Sequence, residues 1–325
     1  MRKNENTEHI EGRVYDHELV LKTVQNQQSP NFGKSFIAGK LSVAVDEEGL
    51  NVVEVHYTYV TETTKAGAKN KTFAVLKKII DEGKTWLTAG KDEAIKVKLD
   101  PALDLNDFYS SNDELVSVKT NEGGFADLVS ELKPEAERNT FKTDMLITNV
   151  VRVEADESKG ILAPYAIIRG AIFNFRNAIL PMDFVIKNEA GIKYFEDLDA
   201  TPSTPVYTKV WGRINSISTK IPRNEESAFG EAAVSFIERK VKEWVITGTA
   251  KVPYDLGDPS VMTVEEVNKA MQDREVYLAD KKRQNDEYKA QKAASTPAPS
   301  AFATPGFGGL TEPTTTAPLK TGFSF

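Results

Sequence analysis

Cysteine is absent from this 325-residue chain. Its absence excludes disulfides, thiol nucleophiles and every cysteine-based zinc site. Long apolar runs are missing too. No window reaches the roughly 18 apolar residues of a membrane-spanning helix, and the opening MRKNENTEHIEG has no apolar core of a secretory signal. Histidine is scarce. His9, His17 and His56 are not spaced as metal ligands, and no phosphate-cradling glycine motif occurs. The acidic stretch from Asp100 to Glu114 lacks the glycine-centred spacing of a calcium loop and reads as a polar loop. Nothing assembles a nucleophile, a base and an oxyanion site. The expectation is a cytoplasmic, non-enzymatic protein with no cofactor and no metal.

Positive charge is also in deficit, with 41 Lys and Arg against 48 Asp and Glu, a net charge of -7. That argues against a globally basic nucleic-acid binder. Contact with phosphate, however, depends on a local groove rather than on the total.

What the chain does have is β-pattern. β-Branched and aromatic residues predict strands over 13–24, 35–45 and 52–60. Phe73, Leu76, Ile79 and Ile80 then fall at helical spacing, with Gly83 as the stop. Strands at 94–99 and 114–119 follow. The same order returns with strands at 141–154, 165–175 and 182–187, a helix at 189–198, and strands at 206–217 and 236–251. Gly39 and Gly170 sit at matching mid-strand places, where a small closed barrel needs a bend. Three strands, a helix and two strands is the OB order, a five-stranded Greek-key barrel. The predicted fold is mainly β with short helices: OB-like domains at 12–135 and 140–255, a helix at 263–292 and a disordered tail at 293–325.

On strand order, the paired glycines and the tail, the chain resembles tandem OB-fold single-stranded DNA-binding proteins of bacteriophages and mobile elements. The resemblance implies a host-cytoplasmic protein that protects or organises single-stranded DNA, without sequence preference, in replication or recombination. The alternative is a phage structural or assembly protein using OB-like barrels as protein-interaction modules.

Single-strand binders combine cations for the backbone with aromatic faces for bases. Alternation puts Tyr165, Arg169, Phe173 and Phe175 on one face, with Arg176 beyond, and Tyr207, Lys209, Trp211 and Arg213 on another. The alternative for the first set is that its Phe residues are core and Arg169 sits at a bulge. For the second, which is the stronger binding signal, it is an ordinary solvated sheet face. Trp244, near Arg239, Lys240 and Lys242, either extends the surface or is core. In the first domain, Tyr57 and Tyr59 share a face beside His56. Lys65, Lys69 and Lys71 lie on a flexible loop that either closes over phosphates or merely solubilises.

Thr263 and Glu266 form a capping-box pattern opening the C-terminal helix. The tail ends Gly322-Phe323-Ser324-Phe325. A globular body, linker and aromatic tip resemble the plan of bacterial single-stranded DNA-binding proteins, whose tips recruit replication and repair enzymes. Those tips are acidic and this one is not. Phe323 and Phe325 are the expected hook for replication or recombination proteins, against a tail that is idle.

Overall fold

The computed structural model describes residues 4–156, 158, 161–225, 233–258 and 261–295, without side chains at 218–225, 233–240 and 293–295. The expected tail, including Phe323 and Phe325, lies outside the described residues from 296 onward. By its contacts the chain divides into Met1–Lys281 and Lys282–Phe325.

The first unit is mainly β. Strands β1 (Asn6–His17), β2 (Val20–Thr23), β3 (Ser35–Ala44) and β4 (Val52–Thr61) precede helix α1 (Lys71–Glu82) and the short helix α2 (Trp86–Ala89). Strands β5 (Lys96–Tyr109) and β6 (Leu115–Leu128) follow. A second series holds β7 (Asn139–Val153), β8 (Tyr165–Phe173), β9 (Ile179–Ile186), helix α3 (Glu189–Glu196), β10 (Val206–Glu225) and β11 (Ala233–Thr249). Helix α4 (Val264–Ser295) closes the described chain.

All eleven strands join in one sheet that contains two closed pairing circuits. In the first, β1 pairs with β3, β3 with β4, β4 in parallel with β6, β6 with β5, and β5 again with β1. In the second, β7, β8, β9, β11 and β10 repeat that order, with β9–β11 as the parallel step. The circuits are stitched together by β1 against β7, Asn6–Ile10 opposite Asn139–Thr143. A second seam lies where Asn51 bridges Ile217 and accepts the Ser216 amide at 2.8 Å.

The two mid-strand glycines sit where a neighbouring backbone segment passes close. A Cβ on Gly39, whose φ is +135°, would lie 2.1 Å from the Glu18 carbonyl oxygen. One on Gly170 would lie 2.1 Å from that of Leu146. Each glycine adjoins a break in register, so the sharp bend expected from sequence is present in both circuits. Both circuit helices start from an Asn cap. Asn70 accepts the Thr72 amide and Asn188 that of Gly191. Phe73, Leu76 and Ile79 of α1 and Ile192 and Phe195 of α3 bury against the main core.

Several elements run longer than their sequence pattern. β5 and β6 form a long hairpin turning at 110–114, so Asp100, Asp104 and Asp107 stand on a strand, not in a polar loop. Leu99, Pro101 and Leu103 alternate inward between them. Likewise β10 and β11 stay paired far past the predicted ends, to Glu225 opposite Ala233. Polar strand tips carry no core periodicity, which hid both extensions.

Helix α4 begins with the expected box: the Thr263 amide donates to Glu266 Oε2 at 3.0 Å, and the Glu266 amide to Thr263 Oγ1 at 3.3 Å. Its first turns seal a second apolar cluster in which Val261, Met262, Val267 and Ala270 cover Leu146, Ala171, Phe173, Ile179 and Tyr207. One turn on, Arg274 grips the buried Asp107 of β5 with two bonds, at 3.1 and 3.2 Å. The helix therefore straps one circuit to the other. In the unit from Lys282, the helix carries the i,i+4 pairs Lys282–Asp286 and Arg283–Glu287. No helix of the described residues is long and apolar enough to cross a membrane.

Candidate nucleic-acid interface

On β3 and β4 of the first circuit, the partner of Ile37 is Val60 while that of Gly39 is Tyr57, leaving one extra residue on β4. This bulge turns both Thr58 and Tyr59 to solvent. Tyr57 stays inside at 2% exposure, and burial holds its hydroxyl protonated far above the ordinary range. Tyr57 and Tyr59 do not share a face, since period-2 alternation fails at a bulge. Tyr59 is 46% exposed, its ring 4.6 Å from that of Phe36 and tilted by 41°. Phe36 was not singled out from sequence; only the pairing of two strands makes it Tyr59's neighbour.

Beyond β4, the lysine loop is a hydrogen-bonded hairpin rather than a slack segment. Thr63 bridges Lys69, the Thr64 amide donates to the Ala68 carbonyl at 2.8 Å, and Asn70 Nδ2 donates to the Thr61 carbonyl at 2.9 Å. Lys65, Lys69 and Lys71 are exposed around it. Lys40 and His56 are cross-strand partners on the same pair of strands.

In the second circuit the predicted faces exist but are partly covered. Phe173 does point away from the main core with Arg169, yet it is fully buried under the start of α4. Tyr207 is buried there as well, edge-on to Phe173 at 6.1 Å and 5.3 Å from Tyr254. Neither ring can stack a base. The cause is tertiary: alternation finds the outer face but not what lies over it. Phe175 escapes, 64% exposed in the turn after β8 with the Arg176 guanidinium 5.1 Å above its ring.

Lys209 is also committed internally. It reaches Glu5 at 2.8 Å and Asp144 at 3.8 Å, and the Glu5 bond pushes its ammonium above the ordinary lysine range. Arg213 donates to Asn139 Oδ1 at 2.8 Å and to the Glu135 carbonyl at 3.2 Å. Trp211 is 39% exposed and packs over Gly248. It lines a groove of about 640 Å³ with Arg213, Lys142 and His9. Trp244 is core, its Nε1 donating to Glu8. The side chains of Arg239 and Lys240 lie outside those described.

Tyr165 and Arg169 remain on the open face of β8, with Arg169 3.7 Å from Asp183. Tyr165 lines a cavity of about 640 Å³ with Lys119, Asp183, Lys187, Lys242 and Leu162. Lys119 carries no site signal in the sequence and Lys242 enters there only as a neighbour of Trp244, since the two come from β6 and β11, more than a hundred positions apart.

No curated protein matches this sequence. The structure is similar to that of a deletion mutant of the single-stranded DNA binding protein from Thermus aquaticus, with TM-score 0.45 and 10% identity, covering 80% of this chain and 99% of that one. The sequence model of the YorF family matches residues 5–284, most of the chain, and this protein therefore belongs to the YorF family.

Proposed function

We propose that this protein binds single-stranded DNA, without sequence preference, over two tandem OB-like barrels, and so protects it during replication or recombination. The pairing order supports the barrel reading. Each circuit runs first–second–third–fifth–fourth–first, with a helix between the third and fourth strands, which is the Greek-key closure of that fold. OB barrels take oligonucleotides on the face of their second and third strands. Those strands are β3 and β4 in one circuit and β8 and β9 in the other.

The observation that carries the reading is on β3 and β4. Phe36 and Tyr59 present a ring pair at the surface, and the exposed lysines of the 62–70 hairpin and Lys71 follow directly along the chain. Rings beside cations are the two parts that single-strand binding needs. Local cations also answer the acidic total, because counterion release depends on the phosphates contacted.

Oligo-dT binding by fluorescence anisotropy tests this. Tyr59→Ala and Phe36→Ala should each weaken binding by about 1–3 kcal/mol per base lost from the stack, with the melting temperature of Tyr59→Ala nearly unchanged. Neutralising Lys65, Lys69 and Lys71 together should flatten the salt dependence. No binding to a long oligonucleotide at low salt would reject the reading.

A further inference from the structure

We infer that Lys119, Lys242 and His56 form a phosphate seat at the seam between the circuits, carrying a bound strand from the β3–β4 face to the β8–β9 face. This rests on the single-strand reading above and extends it to residues no single strand face contains.

The geometry is continuous. Lys40 on β3 is the cross-strand partner of His56 on β4. His56 stands opposite Glu122 on β6, the strand that also carries Lys119. The Lys242 ammonium donates to the Lys119 carbonyl at 3.3 Å, and Lys119 Nζ in turn donates to the Asp183 carbonyl of β9 at 2.6 Å. Both ammoniums sit over the Trp244 indole, 4.9 Å and 5.4 Å from its ring centre. The cavity they line opens onto Tyr165 and Lys187. A path of cations thus crosses the seam and ends at an aromatic ring of the second circuit.

Two ammoniums over one indole repel each other while the ring attracts both. Burial, and then Lys242, push the Lys119 ammonium below its ordinary range, against Asp183 and Glu243. Burial, Lys242 and Lys40 likewise depress His56, against Glu54 and Glu18. Glu18 lies 3.7 Å from Lys40, and Glu243 pairs with Lys187. These carboxylates flank the path. An incoming phosphodiester would relieve the cation–cation repulsion and favour protonated His56.

The test uses the full chain with Lys242→Met, which keeps an apolar stem against Trp244, and oligo-dT of two lengths. One is about 8 nucleotides and fits one barrel; the other is about 25 and spans two, given roughly 4–16 nucleotides per OB fold. Lys242→Met should weaken the long oligomer several-fold and flatten its salt slope by about 1, leaving the short one unchanged. By NMR, the His56 imidazole, assigned with a His56→Gln variant, should titrate at higher pH once the long oligomer is bound. Long-oligomer binding that keeps its dependence on Tyr59, yet ignores Lys242→Met and leaves His56 unmoved, would overturn the seat alone. Absence of all oligonucleotide binding would overturn the single-strand reading and the seat with it.

Discussion

Raising the pH from 5 to 9 should lower the melting temperature, and Glu8→Gln should remove the largest part of that fall. Glu8 sits on β1 where the circuits meet, 3% exposed. Its Oε1 accepts from Trp244 Nε1 at 3.2 Å, and its Oε2 has no hydrogen-bond partner among the described residues. Burial raises its pKa from 4.5 to about 8, against the Trp244 hydrogen bond and the charge of Lys242, which lower it. A buried acid raised in this way is bound to its proton in the folded chain and ionised in the unfolded one. Unfolding therefore releases a proton between pH 4.5 and about 8, so stability falls across that window and levels above it. At roughly 1.4 kcal/mol per pKa unit the total is on the order of 5 kcal/mol. Glutamine keeps a carbonyl for Trp244 and never ionises, so the variant should match the parent near pH 4 and exceed it at pH 8. Glu122, raised by burial to about 7, leaves a smaller slope of the same sign. Parallel melting curves for parent and variant would show that Glu8 is solvated.

Breaking the Arg274–Asp107 pair should be comparably costly. Asp107 is 2% exposed and Arg274 13% by side chain, and the two make a double contact. Removing one partner of a buried pair leaves a desolvated charge, typically worth about 3–5 kcal/mol. Arg274→Ala should cost that much in urea unfolding and raise amide exchange in α4. Arg274→Met with Asp107→Asn should recover much of the loss, because neither charge is left alone. If Arg274→Ala falls within half a kcal/mol of the parent (about the noise of a surface change), α4 is held by its apolar turns and the strap is incidental.

The repeat of strands and helices was legible because each element alternates apolar and polar residues at its own period. Strand tips were not, since Asn106 and Phe108 at the end of β5 are exposed and carry no core pattern. Among the site residues, Lys65, Lys69, Lys71, Tyr165 and Arg169 stand on the surface that alternation and turn chemistry indicated. Tyr57, Phe173 and Tyr207 do not.

What the sequence determined by itself is the local menu. Asn and Thr caps set where α1, α3 and α4 begin, the mid-strand glycines set where β3 and β8 pass close to neighbours, and the lack of cysteine closes off thiol chemistry. Each depends on a few adjacent residues. Only the tertiary structure decided which faces stay open. One extra residue on β4 separates Tyr57 from Tyr59, and a helix more than fifty residues downstream buries Tyr207 and Phe173. The seam that gathers His56, Lys119 and Lys242 comes from three different strands. Alternation says which way a side chain points, but exposure depends on what long-range packing lays over it.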